Sequence, residues 1–420
     1  MTKRIAAITF IFTCTTIAWF ILGSTINART YSSDDELKQR VSSTWGTPQV
    51  QAPPTAVGTH VVHRKVEEVI KGHTQMRYVD ETMTDDLLLE SSRIDVHFDL
   101  EHRQKGLLWY STYKIAFAGL YTFRNNSGND KDVTFALKFP ASKAVYDDLN
   151  FEVDSKPVSI TNTADAAYAH AFLRAGKTAL LRVSYRSQGL DQWTYKFDDG
   201  IAQVRDFVLT MHTNFRDIDF PADTLSPTEK HLTTSGWELV WNYKSVVSGF
   251  QIGMAMPHKL QPGPLTGQIS YFAPVSLLFF FFLIFVITTI RNLELHPMNY
   301  FFLASAFFAF HLLMAYLVDH ISIHAAFAIC SVVSVSLVIS YLRLVIGMRF
   351  AAVEAGITQF IYLVLFSYAF FFPGFTGLAI TIGTILTLFV VMQMTGRIRW
   401  TEKFAAHAQA LKSSSARSNS

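Results

Sequence analysis

Sixteen consecutive residues, Val275 to Ile290 (VSLLFFFFLIFVITTI), carry no charge. A run this apolar is stable only in a deep core or in lipid, and its length decides between them. Crossing ~30 Å of hydrocarbon takes roughly 20 apolar residues at ~1.5 Å rise each. Six segments meet or approach that length: Ile5 to Leu22, Ile269 to Ile290, Tyr300 to Val318, Ala325 to Leu342, Ile357 to Phe372 and Leu378 to Thr395. The chain as a whole is 50% apolar and 16% charged, so a water-facing part must accompany the lipid-facing one. The long gap between the first and second apolar segments supplies it. The predicted fold class is a multi-pass α-helical membrane protein with a large, mainly β domain, an antiparallel sandwich.

Basic residues set the orientation. Lys3, Arg4, Arg291, Arg343, Arg349 and the tail cations Arg397, Arg399, Lys403, Lys412 and Arg417 fall on one side, whereas DHISIH and FPGFTG on the other side carry neither Lys nor Arg. This split predicts six crossings with both termini cytoplasmic in a bacterial inner membrane and residues 29–268 in the periplasm. The expected parts are a signal-anchor helix over 1–28, a β-rich domain over 29–268, a five-helix membrane domain over 269–395 and a basic tail over 396–420. The first segment is longer than the core of a cleavable signal, and INA before Arg29 places bulky Ile26 where a small residue is needed; an uncleaved anchor is expected.

Between the first two crossings the hydrophobic period is two. In RIDVHFDLE, Ile94, Val96, Phe98 and Leu100 point one way while Asp95, His97, Asp99 and Glu101 point the other. DVTFALKF repeats the pattern, LNFEVDSKPVSI reads as two strands around Ser-Lys-Pro, and LLRVSYRSQ, VRDFVLTMHTNF and WELVWNYKSV are strand-like. ADAAYAHAFLRAG reads as a short helix; PQVQAPP and MPHKLQPGPLTG read as linkers. With 26 basic and 29 acidic residues over 29–268, nucleic acid and anionic lipid are poor partners for this domain.

The chemistry is sparse. Cys14 and Cys330 both lie in apolar segments and offer no disulfide framework. G-x-S-x-G, H-E-x-x-H and P-loop patterns are lacking. His60, His63 and His73 read as a solvated strand edge, His97 as an exposed residue, and Trp193, Trp237 and Trp241 as packing residues. Asn125-Asn126-Ser127 matches a glycosylation sequon. No catalytic, cofactor-binding or metal-binding residue is assigned.

The densest polar cluster is HLLMAYLVDHISIH. His311 and Asp319 are eight residues apart, ~12 Å along one helix, so they cannot touch within it. His311 is expected near mid-bilayer, bonded to Ser334, Ser336 or a backbone carbonyl. Asp319, His320 and His324 are expected at the periplasmic end. There Asp319 and His320 would dock the β-domain; a zinc site of Asp319, His320 and His324 lacks a fourth local ligand.

LELHPMNYFFL, followed by Asp319-His320, resembles the CreD family of bacterial inner-membrane proteins. The family's Leu-His-Pro-Met-x-Tyr tag is matched by Leu295, His296, Pro297, Met298 and Tyr300, and its acidic-His pair by Asp319 and His320. SGWELVW and RIRW are similar to further family segments, whereas Arg399 stands where the family often has an acidic residue. The resemblance covers about 130 residues well. It implies a role in envelope integrity or stress response, linked to colicin tolerance and β-lactam response, without supplying a reaction. Pro297 is expected at the start of the third crossing, His296 at the cytoplasmic surface and Tyr300 as an anchor at headgroup depth. The leading expectation is a non-enzymatic protein that contacts membrane lipid and an envelope protein or cell-wall component. A transporter is the alternative; an intramembrane enzyme using a Ser331, Ser334, Ser336 or Ser340 nucleophile with His311 is a further one.

Overall fold

The computed structural model describes residues 2–32, 34–70, 73–142, 144–197, 202–372 and 374–396. Two compact units emerge: Met1–Asp35 with Gly106–Leu108 and Leu260–Ser420, and Glu36–Lys105 with Trp109–Lys259.

Helix α1 (Thr2–Tyr31) opens the first unit, and α2 (Asp34–Trp45) leads into the second. Sixteen strands follow: β1 (Gln49–Gln51), β2 (Thr55–Ile70), β3 (His73–Asp86), β4 (Leu88–Lys105), β5 (Leu108–Arg124), β6 (Lys131–Lys138), β7 (Asp147–Val153), β8 (Lys156–Pro157), β9 (Ile160–Asn162), β10 (Ala166–Leu173), β11 (Thr178–Leu190), β12 (Gln192–Tyr195), β13 (Ala202–Thr213), β14 (Glu229–Leu232), β15 (Trp237–Ser248) and β16 (Ile252–Ala255). They form an eight-stranded sheet ordered β14-β15-β13-β4-β5-β11-β7-β8, a five-stranded sheet β3-β2-β6-β10-β9 and a three-stranded sheet β1-β12-β16. The alternating residues of β4 and β6 meet in one core: Ile94, Val96 and Phe98 with Val133, Phe135 and Leu137. Phe123 and Phe135 join the two large sheets with ring centroids 5.5 Å apart.

Several expectations need correction. The sheets are mixed rather than purely antiparallel, because β13 runs parallel to β4 and β1 parallel to β12. ADAAYAHAFLRAG contains strand β10, not a helix: Ala167 and Ala169 face the core at the strand period. PQVQAPP contains β1, whose inward residues are polar. Gln49 donates to Ser187 Oγ at 2.8 Å, and Gln51 accepts from Tyr185 OH at 2.6 Å. The β7–β8 turn is Asp154-Ser155, with φ of 50° and 65°. Positive φ at both central residues is what a tight hairpin demands, and Asp tolerates it.

In the first unit, α3 (Pro262–Ile290) begins inside the expected linker. Pro262 takes the first helical positions, where a missing N–H is harmless. Next come α4 (Pro297–Leu317) and α5 (Ile323–Val345). Helix α6 (Phe350–Phe371) starts earlier than expected and takes in Glu354, whose Oε1 pairs with Arg291 Nη2 at 2.5 Å. It contains two π-helical stretches, Phe350–Ala355 and Phe360–Leu365. Helix α7 (Thr376–Thr395) ends the described chain; RIRW and the basic tail lie outside the described residues. Among the described residues, six helices are long and apolar enough to cross a membrane by length and composition.

Candidate functional site

The residues singled out by sequence converge on α4, and the structure gives each a definite job. His296 is the N-cap: its Nδ1 accepts from Met298 N at 3.3 Å, and Pro297 follows at the first helical position. The tag is therefore first a helix-start device. Leu295 is buried and Met298 is exposed. Tyr300 departs from expectation. It is fully buried rather than a lipid-facing anchor, packed edge-on against Phe281 at 5.2 Å, with Arg4 Nη2 donating to its hydroxyl at 3.4 Å.

Eleven residues on, His311 is 1% exposed. Of the partners considered, it uses a backbone carbonyl: Nδ1 donates to Phe307 O at 2.9 Å. The ring meets Trp19 of α1 edge-on at 5.5 Å and Phe310 at 4.9 Å. Ser334 is not its partner; that hydroxyl donates to Ala306 O at 2.7 Å and accepts from Gln359 Nε2 at 2.8 Å. With its Oγ committed to the Ala306 carbonyl, Ser334 is not paired with His311 as an activated nucleophile.

At the far end of α4, Asp319 binds Arg29 of α1, Nη2 to Oδ2 at 2.8 Å. The same Nη2 lies 3.2 Å from Ala315 O, and the guanidinium sits over the Tyr316 ring at 5.7 Å. A cation donating to a last-turn carbonyl completes the unfilled acceptors of a helix C-terminus and suits its dipole. Arg29 was missed by the sequence reading, which treated it as the first residue of the soluble domain. The available signal was a lone cation and a lone anion at the same predicted bilayer face. His320 and His324 are exposed, and His324 rests against Phe371 at 5.1 Å. Asp319, His320 and His324 form no metal cluster among the described residues.

Helix α1 is thus fastened to α4 near both ends, by Arg4–Tyr300 and Arg29–Asp319, with Trp19 between. It also packs on α3, where Tyr271 OH lies 3.1 Å from Ser24 Oγ.

In the β-rich unit, Trp193 and Trp241 are fully buried, and Trp241 Nε1 donates to Leu225 O at 2.8 Å. Asn125 is 1% exposed, and its amide donates to Asn129 O at 2.8 Å, so the sequon nitrogen serves as a loop brace. His60 and His63 face different carboxylates, Asp85 and Asp80; the side chain of His73 lies outside the described residues. Glu101 accepts from Lys114, which together with Arg103 holds its carboxyl below the ordinary 4.5. The stability that this pairing gives is present above that value and is lost as pH falls through the lower folded pKa. His97, expected to be merely exposed, is stacked on His212.

No curated protein matches the chain. Among solved structures, a Legionella pneumophila protein described provisionally as nutrient-binding aligns at 14% identity over 55% of this chain and 77% of its own, with a TM-score of 0.30. An M1 zinc metallopeptidase from Deinococcus radiodurans aligns at 11% identity over 40% of this chain and 42% of its own, with a TM-score of 0.26. Likenesses this slight carry no argument. The helical unit is different: residues 266–401 match the family described as "Inner membrane protein CreD". These residues run from within α3 to the end of α7 and contain the His296–Tyr300 cap and Asp319, so this part of the chain is similar to the CreD family of inner membrane proteins.

Proposed function

We propose that the chain is a non-enzymatic envelope-integrity protein of the inner membrane. In this reading both termini are cytoplasmic, and the β-rich unit is periplasmic, where it binds or senses an envelope protein or cell-wall component. The observation that carries it is the CreD match falling on the helical unit, in which α1 is bonded to matched helix α4 near both ends. A helix integrated in this way acts as a permanent anchor rather than a cleaved signal, and it places the β-rich unit on the side opposite the basic loops. A reporter fused after Ser420 is expected to be active only as a cytoplasmic reporter, and one inserted at the Ser127–Asn129 turn only as a periplasmic reporter. Periplasmic activity after Ser420 would overturn the topology.

The function itself is tested by deletion and complementation. Loss of the chain should alter colicin tolerance or β-lactam response. The intact chain should restore it, and a chain lacking residues 36–259 should not. Cross-linking in native membranes should then capture a reproducible envelope partner that requires those residues. A second reading, a solute pathway, is favoured by one observation: the buried Ser334–Gln359 pair lies beside the π-helical turns of α6, and such turns recur at functional sites. Solute flux through the purified chain in liposomes, lost on Gln359→Leu, would replace the first reading with this one.

A further inference from the structure

The outer face of the large sheet gathers residues far apart in sequence. In the parallel ladder His212 of β13 stands opposite His97 of β4, and in the antiparallel ladder it stands opposite Glu238 of β15. Asp95 precedes His97 by two residues on the same face of β4. Beneath them Val96, Met211 and Leu239 are fully buried, so the three strands that carry the polar row are fixed by the core. The imidazoles stack with centroids 4.3 Å apart and planes 11° apart. Both turn Nε2 to one carboxylate: His97 Nε2 lies 2.8 Å from Asp95 Oδ1, and His212 Nε2 lies 3.3 Å from Asp95 Oδ2. One donor atom from each of the three residues falls within 4.8 Å of the others. Other carboxylates on this sheet take cations, Glu101 from Lys114 and Arg103, and Asp206 from Arg93. Asp95 is faced by two imidazoles instead.

We propose that Asp95, His97 and His212 form a zinc site, with solvent as the fourth ligand and Glu238 as the group that sets the His212 tautomer. Four-coordinate zinc has bonds of ~2.0–2.1 Å, hence donor–donor edges of about 3.3 Å. The histidines approach different oxygens of Asp95, at 2.8 and 3.3 Å, so the carboxylate has to turn one oxygen to the metal and the gap between the histidines has to narrow. His97 is 61% exposed at its side chain, so its ring is free to swing inward. His212 Nδ1 faces Glu238 Oε2 at 3.8 Å. That separation is too long for a hydrogen bond, so Glu238 has to close in on Nδ1 as zinc replaces the Nε2 contact to Asp95; it would then keep the proton on Nδ1, as outer carboxylates orient ligand histidines. Two imidazole nitrogens exclude calcium and magnesium, which take oxygen ligands, and favour a borderline ion such as zinc. Metal-ligand spacing was invisible in the sequence because His97 and His212 meet only through strand register.

The test uses the full chain, purified in detergent without a histidine tag, stripped with chelator and titrated with zinc against a chromophoric competitor. One zinc per chain is expected to be lost in the His97→Gln/His212→Gln double variant. Glu238→Gln is expected to keep the stoichiometry and bind roughly 10–100-fold more weakly. His63→Gln/His231→Gln, at side chains 71% and 56% exposed, serves as the control for surface histidines and should change nothing. Thermal unfolding establishes that each variant is folded. Unchanged zinc stoichiometry in a folded His97→Gln/His212→Gln chain, or no zinc bound by the parent chain at micromolar concentration, overturns the site.

Discussion

Gly236→Ala is expected to lower the thermal midpoint of the β-rich unit by about 6–12 °C. A Cβ built at Gly236 lies 2.1 Å from Thr213 O and 2.7 Å from Phe215 O. Both are backbone atoms, so no side chain can swing aside. The glycine backbone is itself held: Gly236 N donates to Thr233 Oγ1 at 3.0 Å, Thr233 N donates to Gly236 O at 2.9 Å, and neighbouring Trp237 N donates to Thr213 Oγ1 at 2.9 Å. Relieving the clash by shifting the chain breaks these bonds. Overpacking costs ~1–3 kcal/mol and each lost hydrogen bond ~1 kcal/mol, giving about 3 kcal/mol in all. At ~2–4 °C per kcal/mol for a unit of this size, the stated shift follows. Gly128, with nothing within 4 Å of its built Cβ, is the control and should tolerate alanine. Tryptophan fluorescence during heating reads both, and a Gly236→Ala midpoint within 2 °C of the parent would disprove the close approach.

The second large effect is a charge reversal. Arg29→Glu sets two carboxylates together at the end of α4 and strips Ala315 O of its donor. With side-chain exposures of 39% and 33%, the native pair is neither fully solvated nor fully buried, and its own contribution is modest. Like-charge repulsion and a lost charged hydrogen bond raise the total to about 2–4 kcal/mol. Changes of ~1–2 kcal/mol already alter cellular abundance several-fold, so the variant should accumulate poorly in membranes. Asp319→Arg in the same chain should restore most of the level. Quantitative immunoblots of membrane fractions decide the matter: a double variant with the summed loss of both singles would show that the two residues do not act as a pair.

These two positions mark what the sequence made legible and what it hid. Strands β4 and β6 could be read because their large apolar side chains alternate. Strand β10 was hidden because alanine fills its inward positions, and alanine alternates with nothing distinctive. Strand β1 inverts the rule, burying Gln49 and Gln51 while Val50 faces outward. The start of α4 is readable from Pro297, and Pro262 marks the start of α3 in the same way, so six residues of the expected linker are helical. Tyr300 was misplaced because its aromatic ring suits an interface, but buried Phe281 and half-buried Arg4 draw it inward. Arg29–Asp319 and the His97–His212 stack needed partners from distant chain segments, which hydrophobic period does not report.

The double fastening of α1 also dictates an order of biogenesis. Arg4 and Tyr300 are separated by 296 positions, and Arg29 and Asp319 by 290. At ~5–20 residues per second, α1 leaves the ribosome roughly 15–60 s before α4 exists to receive it. In the proposed topology it waits in the bilayer during that interval as a lone helix, with Trp19 and two arginines unpartnered by the bundle. The arginines can reach the headgroups from its two ends, which is where lone cationic side chains are tolerated in lipid. Closing so long a loop costs ~5 kcal/mol in chain entropy if the intervening chain is unfolded. A β-rich unit that folds while α1 waits removes most of that cost, so the last helices dock onto a partner that has been in place since the start of synthesis.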